Sequence, residues 1–178
     1  MSDIKPFKAT LRMFDHQVNF LGVLYGTPTI VTYSLGSGGS FSGRRQTADH
    51  SSLLGLRPQG EGTPVMPLIV HFQPTANGYV LSVKNRGDYY EHFISKGWQE
   101  VLGAKKPNTH TPLTFSLVDH EKNIITLSEM TARPLLASLV TSNNKFLGGL
   151  KSSRLPYIYL AETDEKSKIT FILSDFQG

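Results

Sequence analysis

Three stretches of this chain can be laid over one another: KATLRMFDHQVNFLGVLYG (8–26), LIVHFQPTANGYVLSVKN (68–85) and LLASLVTSNNKFLGGLKSS (135–153). In each, an alternating run of apolar and polar residues breaks at a polar turn and then resumes. Period-two alternation marks a half-buried strand, because successive side chains point to opposite faces of a sheet. The breaks DHQVN, PTANG and TSNN are rich in the Asp, Asn, Gly and Pro residues that tight turns select. The expected unit is therefore a β-hairpin, and a hairpin alone cannot bury its apolar face. Repetition supplies the partners.

The match continues downstream of each hairpin. IVTYSLG (30–36), YYEHFISKG (89–97) and YIYLAET (157–163) read as third strands, and SSLLGLRP (51–58), PLTFSLVD (112–119) and KITFILSD (168–175) as fourth strands. NIITLSEM (123–130) reads as an extra element forming a hairpin with the strand before it. The third and fourth strands are joined by GSGGSFSGRRQTADH (36–50), GWQEVLGAKKPNTHT (97–111) and DEKS (164–167). Within the first of these, residues 37–50 are expected to be the most mobile internal segment, since Gly and Ser carry high chain entropy and few apolar anchors. Helix is expected to be scarce; only ARPLLASLV (132–140) offers a helical run, and a Pro interrupts its start.

Three four-stranded units, approximately 7–60, 67–122 and 134–176, account for a single domain over residues 1–178. This pattern resembles the β-trefoil superfamily, which implies an all-β fold of six barrel strands closed at one end by three hairpins, with no exposed sheet edge. An ordinary β-sandwich is the alternative, since it also shows many short strands with regular turns. The expected core comprises Leu11, Leu21, Ile69, Leu81, Leu136, Leu147, Phe115, Phe171 and Leu173.

Composition excludes several chemistries. The chain has no Cys, so disulfide scaffolds, thiolate zinc sites, cysteine nucleophiles and iron–sulfur clusters are ruled out. The net charge of +4 is spread along the chain, with basic pairs only at Arg44–Arg45 and Lys105–Lys106, so no nucleic-acid partner is expected. Residues 1–8 (MSDIKPFK) carry an acid and no apolar run. No signal peptide is expected there, which points to a cytoplasmic location, with release by a leaderless route as the alternative. No apolar run is long enough for a membrane span.

Asp15-His16, Asp49-His50 and Asp119-His120 invite an acid–base reading, but neighbours on a strand face opposite ways, so adjacency does not make a dyad. HExxH and GxSxG are both missing from the sequence. No enzyme activity, cofactor or metal is expected. GSGGSFSGRR is Gly-rich but lacks the Gly-Lys-Ser/Thr ending of a phosphate loop. Its alternative role is a partner-binding loop anchored by Phe41, Arg44 and Arg45. Arg86-Gly87-Asp88 spells an integrin-recognition tripeptide, for which turn chemistry is the simpler explanation.

The densest aromatic segment, RGDYYEHFISKGW (86–98), holds Tyr89, Tyr90, His92, Phe93 and the sole Trp98. An exposed aromatic face beside hydrogen-bonding polar groups suits a sugar ring. Asp88, Tyr90, His92 and Trp98 are the candidate ligand-binding residues, with a purely packed Trp98 as the alternative. The trefoil resemblance implies a binding module. The Gln-x-Trp signature of ricin-type lectins is absent, which leaves an irregular lectin site. The expected function is a non-enzymatic, lectin-like protein that binds a glycan or glycoprotein. The alternative is a protein-binding trefoil such as a protease inhibitor, effector or toxin component.

Overall fold

Antiparallel strands dominate the computed structural model, which describes residues 4–35, 44–109, 111–126 and 133–178. In chain order the strands are β1 (Phe7–Arg12), β2 (His16–Phe20), β3 (Ile30–Leu35), β4 (Arg44–Asp49), β5 (Leu54–Pro58), β6 (Leu68–Thr75), β7 (Gly78–Val83), β8 (Phe93–Trp98), β9 (Val101–Lys105), β10 (Thr114–Val118), β11 (Ile124–Ile125), β12 (Leu135–Thr141), β13 (Phe146–Lys151), β14 (Ile158–Thr163) and β15 (Phe171–Gln177). Among the described residues helix is limited to α1 (Leu21–Tyr25) and a 3-10 turn at Glu165–Ser167. The protein is all-β.

Among the described residues thirteen strands form one large sheet, and β3 and β4 form a separate two-stranded ribbon. Within the large sheet the pairing returns on itself: β1 pairs β6, β6 pairs β7, β7 pairs β10, β10 pairs β12, β12 pairs β15, and β15 pairs β1. Three further pairs, β2–β5, β8–β9 and β13–β14, meet at β14, which bonds both β9 and β5. The turn between β6 and β7 needs a glycine. Gly78 has φ +126°, and a Cβ there would lie 2.6 Å from the Phe115 carbonyl oxygen on β10.

Alternation places the core. On β6, Leu68, Val70 and Phe72 are buried while Ile69 and His71 on the other face are half-buried. Phe7 stacks on Phe72 at 4.6 Å, and Phe115, Leu117, Phe171 and Leu173 belong to the same cluster. A second cluster of Leu21, Leu24, Val31, Leu53, Val101 and Tyr159 lies around α1, β5, β9 and β14. Fully burying one Leu or Phe side chain contributes about 1.5–3 kcal/mol, so these clusters dominate the favourable side of folding.

Several expectations change in detail. Leu136 is 50% exposed, because Ala137, Leu139 and Thr141 take the inward parity on β12. That segment is a strand, whereas the short helix follows β2 at Leu21, where the first hairpin was expected to continue as a strand. Residues 89–92 form turns, so the strand there starts only at Phe93. VLGAK (101–105), read as connection, is a strand. In the 36–50 segment, Arg44–Asp49 form β4, and residues 36–43 lie outside the described residues.

Candidate functional site

The loop after β7 is closed at its base. Val83 N–H donates to the His92 carbonyl at 2.9 Å, and Glu91 N–H donates to the Val83 carbonyl at 2.8 Å. Asn85 fastens this loop to the start of β6: its Oδ1 accepts from Ile69 N–H at 2.7 Å and its Nδ2 donates to the Pro67 carbonyl at 2.9 Å. Gly87, at φ +141°, allows the tip to turn back, and Tyr90 N–H reaches the Gly87 carbonyl at 3.3 Å. Opposite the loop, buried Asn19 ties down residue 66. Its Nδ2 donates to the Met66 carbonyl at 2.9 Å and its Oδ1 accepts from Phe20 N–H at 2.8 Å. Both amides are spent on backbone, so they shape the walls.

Between these walls lies a cleft of about 470 Å³ with Phe20, Val23, Met66, Arg86, Asp88 and Tyr89 among its lining residues. Met66 is 70% exposed. Tyr89 packs on Phe20 with ring centroids 4.5 Å apart and meets His92 edge-on at 6.0 Å. Burial, then the carboxylates of Asp49 and Asp88, push its hydroxyl above the ordinary tyrosine range. Val23, Asp88 and Tyr89 also line a second hollow of about 360 Å³, together with Thr27, Asp49 and Ser51. The two hollows share Val23, Asp88 and Tyr89, and together they make the groove.

The groove carries unequal charge. Lys84 is committed to Glu91 at 2.5 Å and lies 5.7 Å from the Tyr90 ring centroid, and this hydrogen bond holds the Glu91 carboxyl below its usual range. Asp49 accepts hydrogen bonds from the Ser51 hydroxyl and Ser51 N–H, which likewise keep it ionised. Arg86 and Asp88 are exposed on the loop.

The four residues singled out from sequence do not share one place. Asp88 lines both halves of the groove. Tyr90 is 48% exposed and sits over Lys84, outside the residues lining the groove. His92 is half-buried, with Nδ1 3.2 Å from the Tyr90 carbonyl. Trp98 packs in the second cluster, 4.6 Å from the His50 ring and 5.8 Å from Tyr159, and lines a separate hollow of about 200 Å³. Of the partner-loop residues, Arg45 is exposed on β4, Arg44 begins that strand, and Phe41 lies outside the described residues. Sequence reasoning missed Met66, whose signal was its place between Pro64 and Pro67. It also missed Asn19, Asn85 and the choice of Tyr89 over Tyr90.

The Asp-His pairs divide. Asp15 and His16 do touch, Oδ1 to Nδ1 at 2.9 Å, in an exposed position. Asp49 turns to Ser51 while His50 turns inward, its Nδ1 2.7 Å from the Tyr159 hydroxyl. Asp119 caps a turn through Glu121 N–H and Asn123 N–H, both at 2.9 Å. Among the described residues no group of three or more His, Asp or Glu is placed to hold a metal ion, and no helix is long and apolar enough to cross a membrane. No family model, curated protein or solved structure matches this chain.

Proposed function

We propose that the chain is a non-enzymatic, glycan-binding module on a β-trefoil. The trefoil reading is supported by the pairing order once the units are cut as 7–75, 78–118 and 135–177. Each unit then gives its first and last strand to a six-stranded closed barrel and its middle pair, β2–β5, β8–β9 or β13–β14, to a cap. The β3–β4 ribbon is an insertion in the first unit, and β11 is appended to the second. On this cut the stretch 68–85 spans two units, which differs from the boundary expected near residue 67.

The observation that carries the glycan reading is the groove itself. Its lining combines exposed or half-buried apolar groups, Val23, Met66 and Tyr89, with ionised groups at the rim, Arg86 and Asp88. A sugar ring offers one apolar face and a girdle of hydroxyls, so an aromatic ring beneath and carboxylate or guanidinium groups at the side match it. Its volume falls within the roughly 300–1,000 Å³ of small-molecule sites. A glycan array with the wild-type chain, Met66→Ala and Asp88→Asn tests this. Binding by the wild type that falls at least about tenfold in both variants supports the reading; a silent array, or binding indifferent to both, refutes it.

A second reading rests on the ribbon. Strands β3 and β4 pair only with each other among the described residues, and Ile30 is 51% exposed on it. Such a ribbon can offer its edge to a protein target. A protease and protein-binding panel run beside the array separates the two readings.

A further inference from the structure

The groove has two chemically different ends, and this difference selects among glycans. In the half beside the β7–β8 loop, Lys84 and Arg86 are the lining cations. Lys84 is already paired with Glu91, which leaves Arg86 as the cation with no ion pair among the described residues. The other half is lined by Asp49 and Asp88 and by no Lys, Arg or His. Asp49 is held ionised by the Ser51 hydroxyl and backbone, so this end stays negative across the neutral range. The halves share Val23, Asp88 and Tyr89, so a ligand can run from one to the other over the tyrosine ring.

We infer that the groove reads an acidic disaccharide unit, with a uronic acid carboxylate on Arg86 and the hydroxyls of the next ring between Asp49 and Asp88. This inference rests on the glycan-binding reading. A guanidinium presents a planar fork of N–H donors that matches a carboxylate with two parallel hydrogen bonds. An ionised carboxylate only accepts, so Asp49, which lines the far half and not the Arg86 half, favours a ring rich in O–H donors there and repels an acidic one, while Asp88 borders both halves. The order along the ligand is thereby fixed: an acid at the Arg86 end and a neutral sugar at the other. Each hollow alone is large enough for a small ligand, whereas one sugar would leave half of the groove and one charged end unused.

Titration calorimetry of the full chain at low salt tests this with four probes: a glucuronic acid–N-acetylglucosamine disaccharide, its methyl ester, glucuronic acid alone and diacetylchitobiose. The acidic disaccharide is expected to bind about tenfold or more tightly than each of the other three. Arg86→Gln should bring the acid and its ester within about twofold of each other. Asp49→Asn should weaken the disaccharide and spare glucuronic acid. Equal binding of acid and ester, or a preference that survives Arg86→Gln, overturns the charge reading while the glycan reading stands. Equal binding of disaccharide and glucuronic acid overturns the two-ended groove. If glycans on the array bind but none of the four probes does, this inference fails alone; if the array is silent as well, both fail.

Discussion

Lowering the pH should destabilise the fold through His50, and the structure fixes the sign. The side chain is 3% exposed, its Nδ1 is engaged by the Tyr159 hydroxyl, and its Nε2 is buried with no hydrogen-bond partner among the described residues. Protonation would put a charge into this buried site and an N–H on both ring nitrogens, of which only Nδ1 faces an acceptor, the Tyr159 hydroxyl. Burial therefore lowers the His50 value from 6.5, and the neighbouring Asp49 carboxylate offsets this only in part. With a folded-state value below the unfolded one, the stability is fully present above about pH 6.5. It is lost as pH falls from there toward the folded-state value, at a slope approaching but not exceeding about 1.4 kcal/mol per pH unit. His50→Phe keeps a ring against Trp98, does not titrate, and should cost about 1–3 kcal/mol at neutral pH by leaving the Tyr159 hydroxyl unpaired. Urea unfolding of both proteins at pH 7.5, 6.5, 5.5 and 4.5 isolates the contribution. His71, also lowered by burial, and the lowered carboxylates such as Asp119 and Glu165 titrate in both proteins and cancel. The wild type should converge on His50→Phe as the pH falls; parallel curves would show that His50 is not held neutral by the fold.

Other outcomes follow from single contacts. Gly78→Ala should cost well over about 1 kcal/mol, because it meets both a positive φ and the Phe115 carbonyl; Gly26→Ala, at φ +66° in open space, should cost only about 1–2 kcal/mol, as thermal melts can compare. Asn85→Ala strips partners from Ile69 N–H and the Pro67 carbonyl, so a loss of about 1–3 kcal/mol is expected together with weaker glycan binding. Lys96→Met leaves the Glu162 carboxylate, 1% exposed, with Asn143 as its remaining side-chain partner among the described residues, and should lower the urea midpoint more than Lys151→Met on an exposed site.

Much of the strand content was legible because period-two alternation is a local property. TFSLV and the stretch around FILSD announced themselves, and Phe115, Phe171 and Leu173 are buried as expected. Parity was harder: Leu136 and Ala137 differ only in which face their strand turns to the core, and that depends on pairing with β15. The unit boundary was illegible for a similar reason. A hairpin such as β6–β7 looks the same within a unit or across two, and only the partners β1 and β10 distinguish the cases. The groove escaped because it joins the end of β2, the Pro-flanked segment at Met66 and the turn after β7, held together by Asn19 and Asn85. Asp88, read as a polar group beside the aromatic run, does line the groove, but Tyr89 was passed over because alternation was applied to residues that form no strand.

Glycan binding at the groove is tested most directly by backbone amide NMR of the labelled chain during titration with an acidic disaccharide. Saturable shifts should cluster at residues 19–28, 49–51, 66 and 83–89, which hold most of the groove lining, with 30–35 and 44–47 of the β3–β4 ribbon unmoved. Shifts confined to 30–35 and 44–47, or no saturable shift in the 19–28 and 83–89 segments, would contradict the assignment.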